Sequence, residues 1–122
     1  AEEEEKKRII RKRKKVPATT PVGKFSPNGD SPYGCTDMAG NVLEWTRSLW
    51  GVHGEEPDFE YPYEPGGDQE DPDSNGYRIV RGGMFNSGAA YIRCAYRLRL
   101  PPSVRNHSLG FRVVVSLSPP AF

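Results

Sequence analysis

The chain has 122 residues, of which 35% are hydrophobic, and it contains 13 glycines and 12 prolines. A chain of this length fits one domain with a modest core, and its many turn-forming residues favour short strands and long loops over a helical bundle. The net charge is +1, no apolar run reaches membrane-spanning length, and nothing at the N-terminus resembles a secretory signal. We therefore expect no membrane span, whereas the compartment stays open.

Charge is distributed unevenly along the chain. Residues 1–15 carry eight Lys or Arg and four Glu, whereas residues 16–122 carry nine basic and twelve acidic side chains. Nine of those acids lie between Glu55 and Asp73, a stretch without Lys or Arg. The basic end could meet either this acidic stretch or an acidic partner.

Residues 1–16 form the first predicted unit, a helix of mixed charge. Three of its glutamates precede a basic residue by four positions, the order that favours both ion pairing and the helix dipole. Pro17 ends this pattern. The helix could simply be solvated, or residues 8–15 could contact nucleic acid. Because no aromatic side chain is interleaved there for base stacking, we expect no nucleic-acid partner.

Residues 17–122 form the second predicted unit, in which turns alternate with short strands. Pro27 begins a predicted tight turn, and residues 52–76 form a long acidic loop of a kind that is usually functional or mobile. Strands are predicted over residues 42–46, 77–82 and 111–117. The last of these contains three consecutive valines, a run that is typical of a buried central strand.

Several short motifs occur in a fixed order between residues 19 and 116. They are TPVG at 20–23, DMAGNV at 37–42 with EW at 44–45, RIVRGG at 78–83, RCA at 93–95 and GFR at 110–112. In this order and spacing the motifs resemble the formylglycine-generating-enzyme (sulfatase-modifying factor) branch of the C-type-lectin-like fold. Within that branch the chain is most similar to the variable proteins of diversity-generating retroelements. The resemblance implies an α+β domain with short antiparallel strands and long irregular loops.

Members of this family also carry an N-terminal half that the printed sequence does not match. The resemblance therefore implies a fold whose N-terminal half is shortened or missing, or is supplied by another chain. We expect residues 1–122 to be the C-terminal portion of a larger protein or assembly, with an unpaired sheet edge that a further segment would complete.

The oxidases of this family bind copper through two cysteine thiolates that lie a few residues apart. Cys94 matches the second of these cysteines, whereas Ala89 and Ala90 occupy the region of the first. Cys35 matches a family position far from that pocket. A lone thiol cannot supply a two-coordinate copper site, so we expect Cys94 to be a small buried apolar residue and the chain not to be an enzyme.

Four residues match a calcium site of family members, namely Asp37, Gly40, Val42 and Glu44. The resemblance implies side-chain oxygens at the first and last positions and backbone carbonyls between them, a mixture that calcium accepts. In the alternative interpretation, Asp37 caps its turn and Glu44 pairs with Arg97 or Arg112. Calcium is therefore the one candidate cofactor, and both interpretations stay open.

The segment 85–108 divides into framework positions and candidate contact positions. The framework residues match the family or alternate with the others; they are Arg93, Cys94, Ala95, Arg97, Pro102 and Arg105. In retroelement variable proteins this segment carries the diversified positions, so the resemblance implies that the other side chains bind ligand. The candidate ligand-binding residues are Phe85, Ser87, Tyr91, Ile92, Tyr96, Leu98, Leu100, Ser103, Val104, Asn106 and His107.

Side-chain chemistry supports a recognition role independently. Tyr91 and Tyr96 offer rigid, amphipathic contact area at a low entropic cost. Leu98 and Leu100 alternate with arginines, so a strand would place the two sets on opposite faces, with either the leucines or the arginines outward. We therefore expect a non-enzymatic protein that binds a protein or another macromolecule. The alternative is an oxidase of the formylglycine-generating type that acts on sulfatase cysteines.

Overall fold

The computed structural model describes residues 1–13, 17–62, 64 and 66–118. In this part of the chain the elements are α1 (Glu2–Arg13), β1 (Leu43–Gly51), β2 (Tyr77–Arg81), β3 (Leu98–Leu100) and β4 (Leu109–Gly110), with short 3-10 helices at Asp68–Glu70 and Ala89–Tyr91. Long irregular connections separate the strands, as the content of glycine and proline predicts. Among these residues there is no helix both long and apolar enough to cross a membrane.

The helix α1 forms where the charge pattern predicts one, although residues 14–16 of the predicted helix lie outside the described residues. Four glutamates occupy its first turn, where the helix dipole favours negative charge. Lys7 Nζ lies 3.6 Å from a carboxylate oxygen of Glu3, one turn earlier. Both side chains are exposed, so this pair adds little stability. The proposed division of the chain at residue 16 stays a prediction.

The strands form one mixed sheet in the order β3-β2-β1-β4. The central strand β2 is antiparallel to both of its neighbours, whereas β1 and β4 run parallel, which the sequence did not indicate. The predicted strand at 42–46 corresponds to β1 but continues to Gly51, and its pairing with β2 shifts register between Trp45 and Gly51. Such irregularities bend a strand and redirect its side chains.

The hydrophobic core is small and lies on the two central strands. Its buried apolar side chains are Leu43 and Leu49 of β1 and Ile79 and Val80 of β2. Val80 is the one fully buried large side chain of the described residues. A core this thin leaves much of the fold to be held by hydrogen bonds and ion pairs between loops.

The prediction of a buried strand over residues 111–117 is wrong. After β4 ends at Gly110, residues 111–118 form no strand and are exposed, and the exposed fraction of Val114 is 88%. The apolar run does favour burial, but burial needs a neighbouring element, and none of the described residues covers these valines. The segment is therefore an apolar surface of the kind that usually marks an interaction site.

The burial difference between two valines can be tested directly. We expect Val80→Ala to lower the free energy of unfolding by about 2 kcal/mol, because it opens a cavity in the core. The matched variant Val114→Ala should change it by less than about 0.5 kcal/mol. Urea denaturation of both variants measures the difference, and equal losses would show that residues 111–117 are covered in solution.

Candidate functional site

The candidate contact residues lie in the segment 85–108, and the turn that precedes β1 holds the start of this segment. Asp37 and Asn41 have positive φ values of 52° and 67°, and Gly40 has 82°, a region that short polar residues and glycine tolerate best. The Gly40 N–H donates to the carbonyl of Gly82 at 2.6 Å, and the Asn41 carbonyl accepts from the N–H of Phe85 at 2.9 Å. The turn therefore holds the start of the segment that carries the candidate contact residues.

The same turn also holds the loop that precedes it. The side-chain amide of Asn41 donates to the Thr20 carbonyl at 3.3 Å and accepts from the Thr20 N–H at 3.0 Å. An Asp37 carboxylate oxygen accepts the N–H of Gly23 at 2.8 Å. These contacts give Asp37 and Asn41 structural roles, although the Asp37 carboxylate binds the preceding loop and is not shown to cap its own turn.

Arg112 closes the other end of the segment. Its guanidinium donates to both carboxylate oxygens of Glu44, at 2.7 Å and 2.6 Å, and to the carbonyls of Thr36 and Asp37, at 2.8 Å and 2.9 Å. The hydrogen bond with Glu44 raises the pKa of Arg112 above its ordinary value, while partial burial acts in the opposite direction. The guanidinium therefore stays charged across the neutral range.

This arrangement bears on the predicted calcium ligands Asp37, Gly40, Val42 and Glu44. Both oxygens of Glu44 are held by Arg112, and one oxygen of Asp37 is held by a backbone N–H. A calcium ion would have to displace Arg112, so the donor set as arranged fits the ion pair better than the metal. No group of three or more His, Cys, Asp or Glu suited to a metal occurs among the described residues. Calcium binding stays a prediction.

Two glycines let the chain leave β2 and pass close beneath the candidate surface. Gly82 and Gly83 have φ values of 96° and 74°. A Cβ on Gly83 would lie 2.4 Å from Cγ2 of Ile92 and 3.1 Å from the carbonyl oxygen of Tyr91. The preceding Arg81 donates to the carbonyl of Cys94 at 2.6 Å. The RGG motif therefore holds residues 91–94 in direct contact with the end of β2.

Several predicted contact residues line a cavity next to this contact. The Tyr91 and Tyr96 rings are 5.2 Å apart in an edge-to-face arrangement, and Tyr91 is 53% exposed. They line a cavity of about 290 Å³ together with Leu43, Gly83, Met84, Asn86, Ser87, Gly88 and Leu98. The lining joins apolar side chains to a few polar groups, a combination that is typical of ligand-binding pockets.

A second cavity, of about 250 Å³, lies on the other side of Met84 and Ser87. Among the predicted residues, Phe85 and Ile92 line it, and the Phe85 ring is 5.8 Å from that of His107. The structure thus brings seven of the predicted contact residues to these two cavities or next to them.

The other four predicted contact residues, Leu100, Ser103, Val104 and Asn106, line neither of these cavities. The Asn106 side chain instead accepts hydrogen bonds from the backbone and hydroxyl of Ser108. Met84 and Asn86, which line the first cavity, were not predicted. Their only sequence signal is that they lie within three residues after the RGG motif.

Two expectations about side-chain burial need correction. Cys94 is exposed, not buried; its contact with the end of β2 is made by its backbone carbonyl, which accepts from Arg81, and Cys35 is also exposed and free. Leu98, Arg99 and Leu100 are all half-buried, so neither the leucines nor the arginines alone form the outer face.

The comparisons with known proteins identify the family and the fold. A family model described as the sulfatase-modifying factor enzyme 1-like domain matches residues 3–117. The serine/threonine-protein kinase pkn1 of Chlamydia pneumoniae is 38% identical over 82% of this chain and 15% of its own length. The formylglycine-generating enzyme of Mus musculus is 36% identical over 84% of this chain and 26% of its own length.

A solved structure, Treponema denticola variable protein 1, matches with a TM-score of 0.56 and 32% identity over 79% of this chain and 31% of that chain. The chain therefore spans less than a third of the length of each of these relatives. Together the matches confirm the predicted α+β fold of the C-type-lectin-like type and the similarity to a variable protein.

A substitution at Gly83 tests how closely residues 91–94 approach the end of β2. We expect Gly83→Ala to lower the free energy of unfolding by at least about 2 kcal/mol, because its φ is positive and the new Cβ would meet Ile92. The control is Gly88→Ala, where φ is −68° and the nearest atom lies 3.8 Å away, so we expect a change below about 0.5 kcal/mol. Equal losses of unfolding free energy in the two variants, measured by urea denaturation, would contradict this close approach.

A substitution at Arg112 tests the ion pair with Glu44. We expect Arg112→Gln to cost about 2 kcal/mol of unfolding free energy, because it leaves two half-buried carbonyls and Glu44 without their donor. Lys7→Gln removes the ion pair with Glu3, in which both side chains are largely exposed, and should cost less than about 0.5 kcal/mol. Melting curves of the unmodified chain with calcium and with chelator test the metal, since a rise with calcium would favour it over the pair.

Proposed function

The chain belongs to the family of the sulfatase-modifying factor enzyme 1-like domain, and we propose that it uses this fold to bind a macromolecular ligand and not to oxidise cysteine. The ligand contacts the surface formed by residues 84–98, and apolar or aromatic side chains of the ligand enter the cavity beside Tyr91 and Tyr96. The similarity to a variable protein supports this role.

The observation that carries the proposal is the tyrosine pair at the mouth of the cavity. Each ring supports the other edge to face, so both are held in place before a ligand arrives. Rigid aromatic side chains lose little conformational entropy on binding and are enriched among the residues that dominate interfaces. Gly83 and Arg81 fix the backbone under the pair, which limits rearrangement on binding.

The chemistry near Cys94 favours binding over oxidation. The chain has two cysteines in all, and the residues preceding Cys94 in the relevant region are Ala89, Ala90 and Tyr91. These three residues form a 3-10 helix, and the carbonyl of Ala90 accepts a hydrogen bond from Nε of Arg93 at 2.9 Å. A copper site of two thiolates needs a second sulfur there, and Cys35 occurs elsewhere in the sequence.

Binding can be tested by selecting peptides from a random library on the immobilised protein. We expect the selected peptides to share an apolar or aromatic anchor, and Tyr91→Ala and Tyr96→Ala each to weaken their binding about tenfold. Tyr33→Ala removes an exposed tyrosine outside this surface and should leave affinity unchanged. Peptides that bind the double variant as well as the unmodified protein would contradict the proposal.

The oxidase alternative is tested on the same preparation with a cysteine-containing sulfatase peptide and copper. We expect the peptide to keep its mass and its thiol. Formation of the aldehyde product, detected by mass spectrometry, would replace the binding proposal by the enzymatic one.

A further inference from the structure

Two arginines at the sheet edge lie against aromatic rings. Arg97 precedes β3 and Arg99 lies within it, so their side chains leave the strand on the same side. The guanidinium carbons are 5.4 Å and 5.0 Å from the centre of the Trp50 ring, and that of Arg97 is also 5.3 Å from the centre of the Tyr61 ring. The rings thus position both cations through cation–π contacts.

Neither of these arginines has an anionic partner within the described part of the chain. Within that part, the interactions that the guanidinium groups of Arg97 and Arg99 form are cation–π contacts with rings. Other arginines in or near the sheet do donate hydrogen bonds through their N–H groups: Arg47 to Glu70, Arg78 and Arg81 to backbone carbonyls, and Arg112 to Glu44. Ring contact uses the faces of a guanidinium and leaves its N–H edge free to bind a planar anion in a bidentate way.

The backbone beside the arginines is also available. β3 is the terminal strand of the sheet order, and its one strand partner among the described residues is β2. An unpaired strand edge offers N–H and carbonyl groups to an extended peptide. In such a peptide, alternate side chains lie about 6.7 Å apart on one face, and Arg97 and Arg99 are likewise two positions apart in the sequence.

We propose that the β3 edge binds an extended acidic peptide, in which two carboxylates in alternate positions pair with Arg97 and Arg99. The free guanidinium edges supply charge-assisted hydrogen bonds to the carboxylates, and the strand edge supplies the backbone pairing. A free phosphate or a nucleic acid would use the charges but not the strand edge, so the coincidence of the two favours a peptide. This site lies on the opposite side of β3 from Leu98 and the tyrosine cavity, and it does not depend on the function proposed above.

Glu60 modulates the site in a way that can be measured. It lines the same small cavity as Arg97 and Tyr61, and among the described residues it forms no ion pair. Its negative charge opposes the approach of a peptide carboxylate. We therefore expect Glu60→Gln to strengthen binding of an acidic peptide about threefold at low ionic strength.

The test uses a fluorescein-labelled peptide of about eight residues in which threonine and glutamate alternate, with fluorescence anisotropy as the readout. We expect it to bind, and Arg97→Gln and Arg99→Gln each to weaken binding about tenfold. Arg105→Gln removes an exposed arginine without a ring contact and should have little effect. Tyr91→Ala, which impairs the other surface, should leave this binding intact, so the two proposals fail separately.

Three outcomes would overturn the proposal. One is equal binding of a threonine–glutamine peptide, which would leave the arginines without a role. Another is an equal loss in Arg105→Gln, which would show unspecific attraction by charge. The third is equally effective competition by inorganic phosphate or a single-stranded oligonucleotide at matched charge. Circular dichroism of each variant shows whether the fold is retained, and Trp50 fluorescence reports binding without the label.

Discussion

The structure depends on the contact between Arg112 and Glu44. One guanidinium joins the C-terminal motif to strand β1 and, through the carbonyls of Thr36 and Asp37, to the turn before it. Glu44 is also the residue of β1 that pairs with Gly110 in the parallel register, so backbone and side chain fix the same junction. At the other end of the segment, Gly40 binds Gly82. Both ends are therefore held by the residues around the start of β1.

This double attachment matters because hydrophobic burial alone is limited. The core consists of a few aliphatic side chains on β1 and β2, and the surrounding loops bury few large apolar groups. In such a domain, polar contacts between residues distant in sequence determine where the loops lie. The Arg112 side chain is 35% exposed and that of Glu44 22%, so this pair is more shielded from water than an ion pair between fully exposed side chains.

The sequence predicted the elements whose reasons are local. The alternating YRIVR pattern located β2 almost to the residue, and the RGG motif that ends it marks the close backbone approach found at Gly83. Properties set by distant neighbours were not predictable. The valines at 113–115 have the composition of a buried strand but no described element beside them, and Cys94 has the composition of a core residue but lies exposed. The parallel pairing of β1 with β4 and the lining of the cavity by Met84 and Asn86 likewise depend on tertiary arrangement.

The short edge strand β3 shows how one stretch of chain can serve two surfaces. Leu98 is opposite the buried Val80 and lines the tyrosine cavity, whereas Arg99 is opposite Ile79 and lies against Trp50 on the other face. Because alternate side chains of a strand point to opposite faces, a change on one face leaves the contacts of the other in place. The sequence left open whether the leucines or the arginines face outward. In the structure, Leu98 contributes to the surface on one face of β3 and Arg99 to the surface on the other. The central strand β2, by supplying a buried partner on each side, holds the two surfaces at a fixed distance.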